Sequence, residues 1–354
     1  MSDLFKPIKF KGITINNRVM MSPMCMYSAK DGVVSDFHIV HLGARAMGKV
    51  GLIMVEATGV NPEGRISPYD AGIWDKKHIE AFKPIVKFCK AQGSVMGIQL
   101  AHAGRKASTD APWFGEGPVK PENGGWQTFA PSAIPFDNGY PAPKEMDAVD
   151  IKKVIDDFTK GAKNADQSGF DIIEIHAAHG YLLNEFLSPV SNKRNDSYGG
   201  SLENRAKLLI EIINSIKKVW PENKPIFVRI SAIDWIEGGF NLTDSIALAK
   251  MLKKVGVSLI DCSSGGIAPN AKMNIYHGYQ LTFAREIREK ASMPVAAIGL
   301  VTTPELADFV IHSGTADMVA MARELLRNPY WVLNAARELN SEITWPNQYL
   351  RAKL

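Results

Sequence analysis

The sequence predicts an α/β protein, a single (β/α)8 TIM barrel with an N-terminal hairpin cap and a long loop insertion after strand 3. Three observations lead there. Short β-branched or apolar runs recur along the chain and are apolar on both faces, as parallel strands covered on both sides are. Amphipathic stretches of helical length separate them, the alternation of a βα crossover fold. Eight such runs can be counted, the number that closes a barrel. With 354 residues, the chain is long enough for one large domain. Residues 1–354 are therefore expected to form one barrel domain, with 107–144 as a loop or lid insertion and 341–354 as a C-terminal tail.

The elements follow in order. Lys6–Ile15, KPIKFKGITI, reads as a small hairpin closing the bottom of the barrel. Strands are expected at Val19–Ser22, Leu52–Glu56, Val95–Leu100, Phe170–His176, Ile226–Ile230, Leu259–Ser263, Val295–Ile298 and Met318–Met321. The clearest helical stretches are Ile79–Ala91, Val149–Gln167, Leu202–Val219, Leu242–Val255 and Tyr279–Lys290. Thr243, Asp244 and Ser245 signal a helix start. Pro304 after Thr302-Thr303 signals another, with proline in the first turn. Ala107–Lys144 breaks the alternation. It is rich in Gly, Pro and Trp, lacks periodic apolar positions, and reads as a binding loop or lid carrying Trp113 and Trp126.

Composition narrows the function. Lys and Arg are dispersed and the formal net charge is only +4, with no basic block or zinc-finger spacing, so nucleic acid is not an expected partner. A mildly basic pocket that attracts phosphate is the simpler reading. Cys25, Cys89 and Cys262 are too few and too far apart for a disulfide framework or an iron–sulfur or zinc pattern. The first residues, MSDLFKPIKFKGITINN, lack the apolar core of a signal peptide, and no run is long enough to span a membrane. The expected compartment is the reducing cytoplasm, and the glycosylation patterns at Asn195 and Asn241 are read as chance.

In a barrel, chemistry sits at the C-terminal strand ends. The first strand is followed by Ser22, Pro23, Met24, Cys25 and Tyr27, and the second by Glu56, Ala57 and Thr58. The third offers Gln99, His102, Arg105 and Lys106, and the fourth His176, His179 and Tyr181. Arg229 ends the fifth; Ser263, Ser264, Gly265 and Gly266 follow the sixth. Gly299 follows the seventh, and Ala322 and Arg323 the eighth. The last two loops suggest a phosphate site, with glycine allowing close backbone approach and Arg323 binding the anion; tight turns are the bland alternative. Gln99 could pair with an oxygen and a ring N–H of a planar heterocycle, and Arg229 could face its negative edge. A salt bridge from Arg229 to Glu174 or Asp261 would explain it equally. His176, His179 and Tyr181 suit carbonyl binding and proton donation. A zinc site with His102 as third ligand is a weaker reading. Cys25 could be a nucleophile or a sulfur contact against a ring, while Cys89 and Cys262 read as packing.

The motifs MSPMCMYS, GLIMVEATGVNPEGRIS, GIQLAHAGRKA, HAAHGYLLNEFLSPVSNKRNDSYGGSLENR, DCSSGG and ARELLRNP together resemble the Old Yellow Enzyme family, in its thermophilic-type branch of ene-reductases. The resemblance covers essentially the whole chain. It implies non-covalent FMN, NADPH or NADH as hydride donor, and reduction of the C=C bond of α,β-unsaturated carbonyl compounds. It implies cofactor contacts at Ser22, Pro23, Met24, Cys25, Ala57, Gln99, His176, Arg229, Ser264 and Gly265. Gly299, Ala322 and Arg323 resemble the phosphate cradle, with Ala322 where family members often have glycine. His176 and His179 resemble the pair that holds the substrate carbonyl, Tyr181 the proton donor, and Cys25 a flavin-tuning cysteine. Tyr27 and Lys106 resemble further substrate contacts. Arg351, accompanied by Tyr349, resembles an arginine that enters a neighbouring subunit's site, which implies a homodimer or homotetramer. The alternatives are a xenobiotic reductase of nitro compounds or nitrate esters, a related FMN-barrel demethylase, a flavin-binding protein without turnover, and a zinc hydrolase. A dienoyl-CoA reductase would continue into a cysteine-rich region that this sequence lacks.

Overall fold

The computed structural model describes residues 2–115 and 117–353. Strands β1 (Ile8–Phe10) and β2 (Ile13–Ile15) pair antiparallel. The chain then runs through β3 (Val19–Met21), α1 (Asp36–Met47), β4 (Leu52–Gly59), α2 (Lys76–Ala91) and β5 (Val95–Ala101). An insertion carrying β6 (Phe129–Ala130) and β7 (Lys144–Glu145) leads into α3 (Ala148–Gln167) and β8 (Ile172–Ala177). There follow α4 (Leu182–Leu187), α5 (Leu202–Ile216), β9 (Ile226–Ser231), α6 (Leu242–Lys254), β10 (Leu259–Ser263) and α7 (Leu281–Ala291). The chain ends with β11 (Val295–Ala297), α8 (Pro304–His312), β12 (Met318–Met321), α9 (Arg323–Arg327) and α10 (Trp331–Glu338). The eight expected barrel strands are present and close in the order β3-β4-β5-β8-β9-β10-β11-β12, with parallel pairing throughout.

Strand periodicity sorts the side chains into layers. Met20, Leu52, Met54, Ile172, Phe227, Leu259 and Met318 form one apolar cluster inside the barrel. Phe10 and Ile15 of the hairpin join it from below, and Phe10 meets Phe227 edge-on at 5.2 Å. The hairpin is therefore the barrel's floor, as expected. Residues two positions further along a strand face the same way. This sets Glu174, Arg229 and Asp261 above the floor, and His176, Ser231 and Ser263 above those. The alternate residues, such as Ile173, Val228 and Ile260, pack outward against the helices in a second, larger core.

Several local expectations shift. The cap of α6 is Asn241, whose side chain accepts from the N–H groups of Thr243 and Asp244; those residues lie inside the first turn. Thr303 caps α8 ahead of Pro304, as expected. Helix α1 was not anticipated, because its buried face includes His38, His41 and Arg45 and so shows no apolar stripe. The 107–144 insertion is more ordered than a bare loop. It holds two 3-10 turns, and its end pairs β6 with β7 in parallel. Arg105 donates to the carbonyls of Ile134 and Pro135, and Arg194 to those of Pro131 and Met146. No helix among the described residues is long and apolar enough to cross a membrane.

Phe227→Ala should remove the centre of the barrel floor. The expected loss is about 3–5 kcal/mol, typical of a fully buried phenylalanine. An unchanged urea midpoint would show that the floor does not support the barrel.

Candidate active site

The mouth of the barrel is organised by the loop after β8. His176 is the next-to-last residue of β8, His179 adopts φ +60°, and Gly180 has φ +74°. Left-handed backbone at a histidine is uncommon and is maintained here by its surroundings. The His179 N–H donates to Ser231 Oγ at 2.9 Å, and its Nε2 lies 2.7 Å from Ser263 Oγ. The loop after β10 packs directly on it. A Cβ on Gly180 would lie 2.1 Å from the Gly266 carbonyl oxygen, and one on Gly266 would lie 2.6 Å from His179 Cα. Only glycine permits this approach from both sides.

Lys106 bridges the same two loops. Its Nζ donates to the carbonyls of His179 (2.9 Å) and Gly266 (3.2 Å). The ammonium also lies over the rings of Phe136 (4.7 Å) and Tyr181 (4.9 Å). Burial pulls this lysine down to about 8. Its polar contacts within the chain are thus those of a strut between loops.

His176, His179 and Tyr181 form a cluster of rings. His176 meets His179 edge-on at 5.3 Å and Tyr181 at 5.0 Å. Burial, reinforced by the positive charges of Arg229 and Lys106, holds both histidines well below their ordinary values, so both are neutral at pH 7. His176 Nδ1 accepts from the Ala178 N–H at 3.3 Å, which leaves the ring proton on Nε2. The Tyr181 phenol is pushed well above its ordinary value by burial, then by Cys25 and Tyr27, and keeps its proton.

Across the mouth, Cys25 and Tyr181 both pack against a small cluster that includes Ala57, Ala101 and Ala103, with Trp126. Trp113 meets Tyr27 edge-on at 5.7 Å. The insertion therefore supplies aromatic walls through both tryptophans. Burial, with Asp70 and Glu56 adding repulsion, pushes the Cys25 thiol up and keeps it neutral. Glu56 has a role that its strand-end position alone did not reveal. Its register slips against β5 between Val55 and Ala57, a bulge that re-aims one side chain. Glu56 Oε2 accepts from the Met26 N–H, and Oε1 lies 3.0 Å from His38 Nε2. The Ser35 N–H occupies His38 Nδ1, so Nε2 is the donor. This pair anchors the Met24–Tyr27 loop.

Below the mouth lie Gln99 and Arg229. Gln99 Nε2 donates to Glu174 Oε1 at 2.8 Å, leaving its own oxygen without a partner among the described residues. Arg229 Nε is 3.2 Å from Asp261 Oδ2, close enough for an ion pair but not aligned as a hydrogen bond. Ser22 is fully buried and its hydroxyl has no partner among the described residues. Ser264 and Gly265 are largely engaged internally. Ser264 donates to Gln280 and accepts from Trp235, and the Gly265 N–H goes to Ile233.

Gly299, Ala322 and Arg323 line one cavity of about 120 Å³ with Tyr279 and Thr302. The N–H groups of Gly299, Ala322 and Arg323 have no partner among the described residues, and Arg323 makes no ion pair there. Gly299 has φ +134°, and a Cβ on it would lie 3.1 Å from the Gln280 nitrogen. A set of free donors and a guanidinium fits an anion. The unpaired Ser22 hydroxyl and Gln99 oxygen, with the Asp261-paired Arg229, fit the polar rim of a planar heterocycle beside it.

Two expected residues lie apart. His102 accepts from the Gly104 N–H and is pulled to about 3 by burial. Among the described residues, no three His, Cys, Asp or Glu side chains are grouped to hold a metal. Arg351 sits exposed in a 3-10 turn, Asn347–Ala352, where Tyr349 packs on Tyr330 at 5.9 Å.

Residues 3–342 match the NADH:flavin oxidoreductase / NADH oxidase family. An NADPH dehydrogenase of Geobacillus thermodenitrificans is 50% identical over 350 residues, covering 98% of each chain. Among solved structures, an old yellow enzyme homologue from Zymomonas mobilis superposes with a TM-score of 0.78 at 29% identity, covering 97% of this chain and 94% of that one. A 2-naphthoyl-CoA reductase superposes with a TM-score of 0.87 at 26% identity over 95% of this chain. The match spans only 52% of that longer protein.

Glu56→Ala should leave the Met26 N–H and the His38 Nε2–H buried without acceptors. At about 1–3 kcal/mol for each orphaned donor, urea denaturation should show a clear loss of stability. Wild-type stability would mean that the pair does not anchor the loop.

Proposed function

The chain belongs to the NADH:flavin oxidoreductase / NADH oxidase family, and we propose that the residues gathered at its barrel mouth hold FMN and an activated alkene in the roles set out below. The protein is an FMN- and NAD(P)H-dependent oxidoreductase of the Old Yellow Enzyme, ene-reductase type. The observation that carries the site reading is the neutral His176–His179 pair beside a protonated Tyr181.

Gly299, Ala322 and Arg323 hold the FMN phosphate, with the Ala322 methyl leaving its amide available. Gln99 and Arg229 hold the pyrimidine edge, while Ser22, Pro23, Met24, Cys25 and Ala57 line the ring. The internal engagement of Ser264 and Gly265 limits them to close approach. Bound FMN supplies two-electron hydride transfer, accepting from NAD(P)H and delivering to the alkene β-carbon. His176, through Nε2–H, and His179 donate to the substrate carbonyl oxygen, which gains negative charge as the alkene is reduced. Neutral donors in a dry pocket stabilise that charge without first losing a solvation shell. Tyr181 retains its proton until the α-carbon needs it. The neutral Cys25 sulfur acts as a polarizable contact rather than a nucleophile. Tyr27, with Trp113 against it, closes the substrate side. Lys106 acts on substrate indirectly, through the position of His179.

The exposed Arg351 and its turn support an intersubunit role, in a homodimer or homotetramer. Arg351→Ala should then raise KM for the alkene while leaving FMN content intact. A monomer in sedimentation with unchanged KM would remove this part of the reading.

Purified protein should be yellow, bleach with NADPH without oxygen, and regain colour with 2-cyclohexenone. His176→Ala/His179→Ala should keep FMN and bleach, yet recolour at least about 10²-fold more slowly, since one oxyanion donor is worth roughly 3 kcal/mol elsewhere. Equal recolouring rates would refute the carbonyl-binding role. Recolouring by nitro compounds alone would favour the xenobiotic reductase.

A further inference from the structure

Directly beneath the mouth, the barrel encloses two carboxyls, one guanidinium and one amide. Gln99, Glu174, Arg229 and Asp261 are each at most 5% exposed. Gln99 binds Glu174, and Arg229 lies against Asp261. Glu174 Oε2 and both Asp261 oxygens still lack a donor among the described residues. Arg229 is the cation that acts on both carboxyls. The floor below is apolar, with Met54, Phe227 and Leu259, and the facing residues of β3, β11 and β12 include Met20, Ala296 and Ala320. Above lie His176 and His179, both neutral, and Ser263. With both carboxyls ionised, the layer would carry a net negative charge away from water, a cost of several kcal/mol for an uncompensated ion. Retaining one proton removes that charge.

We propose that Glu174, Asp261 and Arg229 hold one proton in common at neutral pH, and that Glu174 is thereby a positioning residue, fixing the Gln99 amide with its oxygen toward the cofactor. The second half rests on the FMN reading above. The amide argument is geometric: one Gln99 N–H is committed to Glu174, so the oxygen is on the other side of the amide, available to a ring N–H. Burial first, then repulsion from Asp261, pushes Glu174 up to about 8, against the opposing pull of Arg229 and Gln99. Asp261 is raised by burial and pulled back by Arg229. The two titrate as a unit. With that proton the layer is neutral; once it is lost at higher pH, the layer turns negative beneath the edge that Arg229 faces. Negative charge placed on that edge would draw a proton back into the layer.

The decisive comparison is wild type against Glu174→Gln, an isostere of the protonated acid. In the protein as purified, the wild-type-minus-Glu174→Gln infrared difference spectrum should contain a protonated-carboxyl band at neutral pH that is lost as pH rises; the buried Asp70 and Glu185, also pushed up, cancel in the difference. Asp261→Asn is the second variant: its remaining carboxyl serves Arg229 and ionises, so the same band should vanish. In FMN-loaded wild type, the pH dependence of the midpoint potential should steepen above the pH at which that band is lost, from about one proton per electron pair to about two. Glu174→Gln should keep the shallow slope and bind FMN within about threefold of wild type at pH 7. An empty difference spectrum for both variants, or identical slopes, overturns the proposal. Protein that neither carries nor takes up FMN refutes the cofactor reading instead, and the infrared comparison still decides the proton.

Discussion

One buried ammonium holds the site together. Lys106 spans the carbonyls of His179 and Gly266, and so joins the loops after β8 and β10. The loops touch through backbone at Gly180 and Gly266, too close for any side chain. Carbonyls brought so near one another repel unless a donor lies between them. The lysine supplies that donor, and the Phe136 and Tyr181 rings stabilise its charge. The left-handed His179 and the adjacent Tyr181 inherit their positions from this junction.

The second constraint is dryness. A closed barrel with an apolar floor admits no bulk water below the mouth, so every polar group there must find a partner or a neutral form. At the mouth the histidines lose charge, and Tyr181 and Cys25 keep their protons. Arg229 lies against a carboxyl, and Gln99 against another. These neutral, oriented groups are the ones that stabilise a charge appearing only during reaction. The same burial thus shapes the fold's electrostatics and its chemistry.

The insertion after β5 shows how a loop without a core of its own becomes part of a site. Arginine side chains outside it fasten its carbonyls, and Trp126 donates to the Glu63 carbonyl at 2.9 Å. Its aromatic residues then face Tyr27 and the Cys25–Tyr181 cluster. The fixed points are polar and the working surface is aromatic.

Much of this was legible in the sequence because the signals are short-ranged. Doubly apolar runs marked all eight barrel strands, the hairpin was visible in KPIKFKGITI, and strand ends gathered His176, His179, Tyr181, Gln99 and Arg229 in one region. Other features depended on neighbours distant in the chain. Helix α1 hid because its buried His38 and Arg45 find partners only in the folded state, Glu56 and the Leu325 carbonyl. Arg229 had two candidate carboxyls, and only barrel closure set it against Asp261 and left Glu174 to Gln99. Lys106 reads in the sequence as a substrate contact; that it also bridges the carbonyls of His179 and Gly266 only the folded chain shows. Local periodicity determines which residues form strands and which way they face. Register across a closed sheet decides which buried charges meet, because that pairing depends on distances no single segment contains.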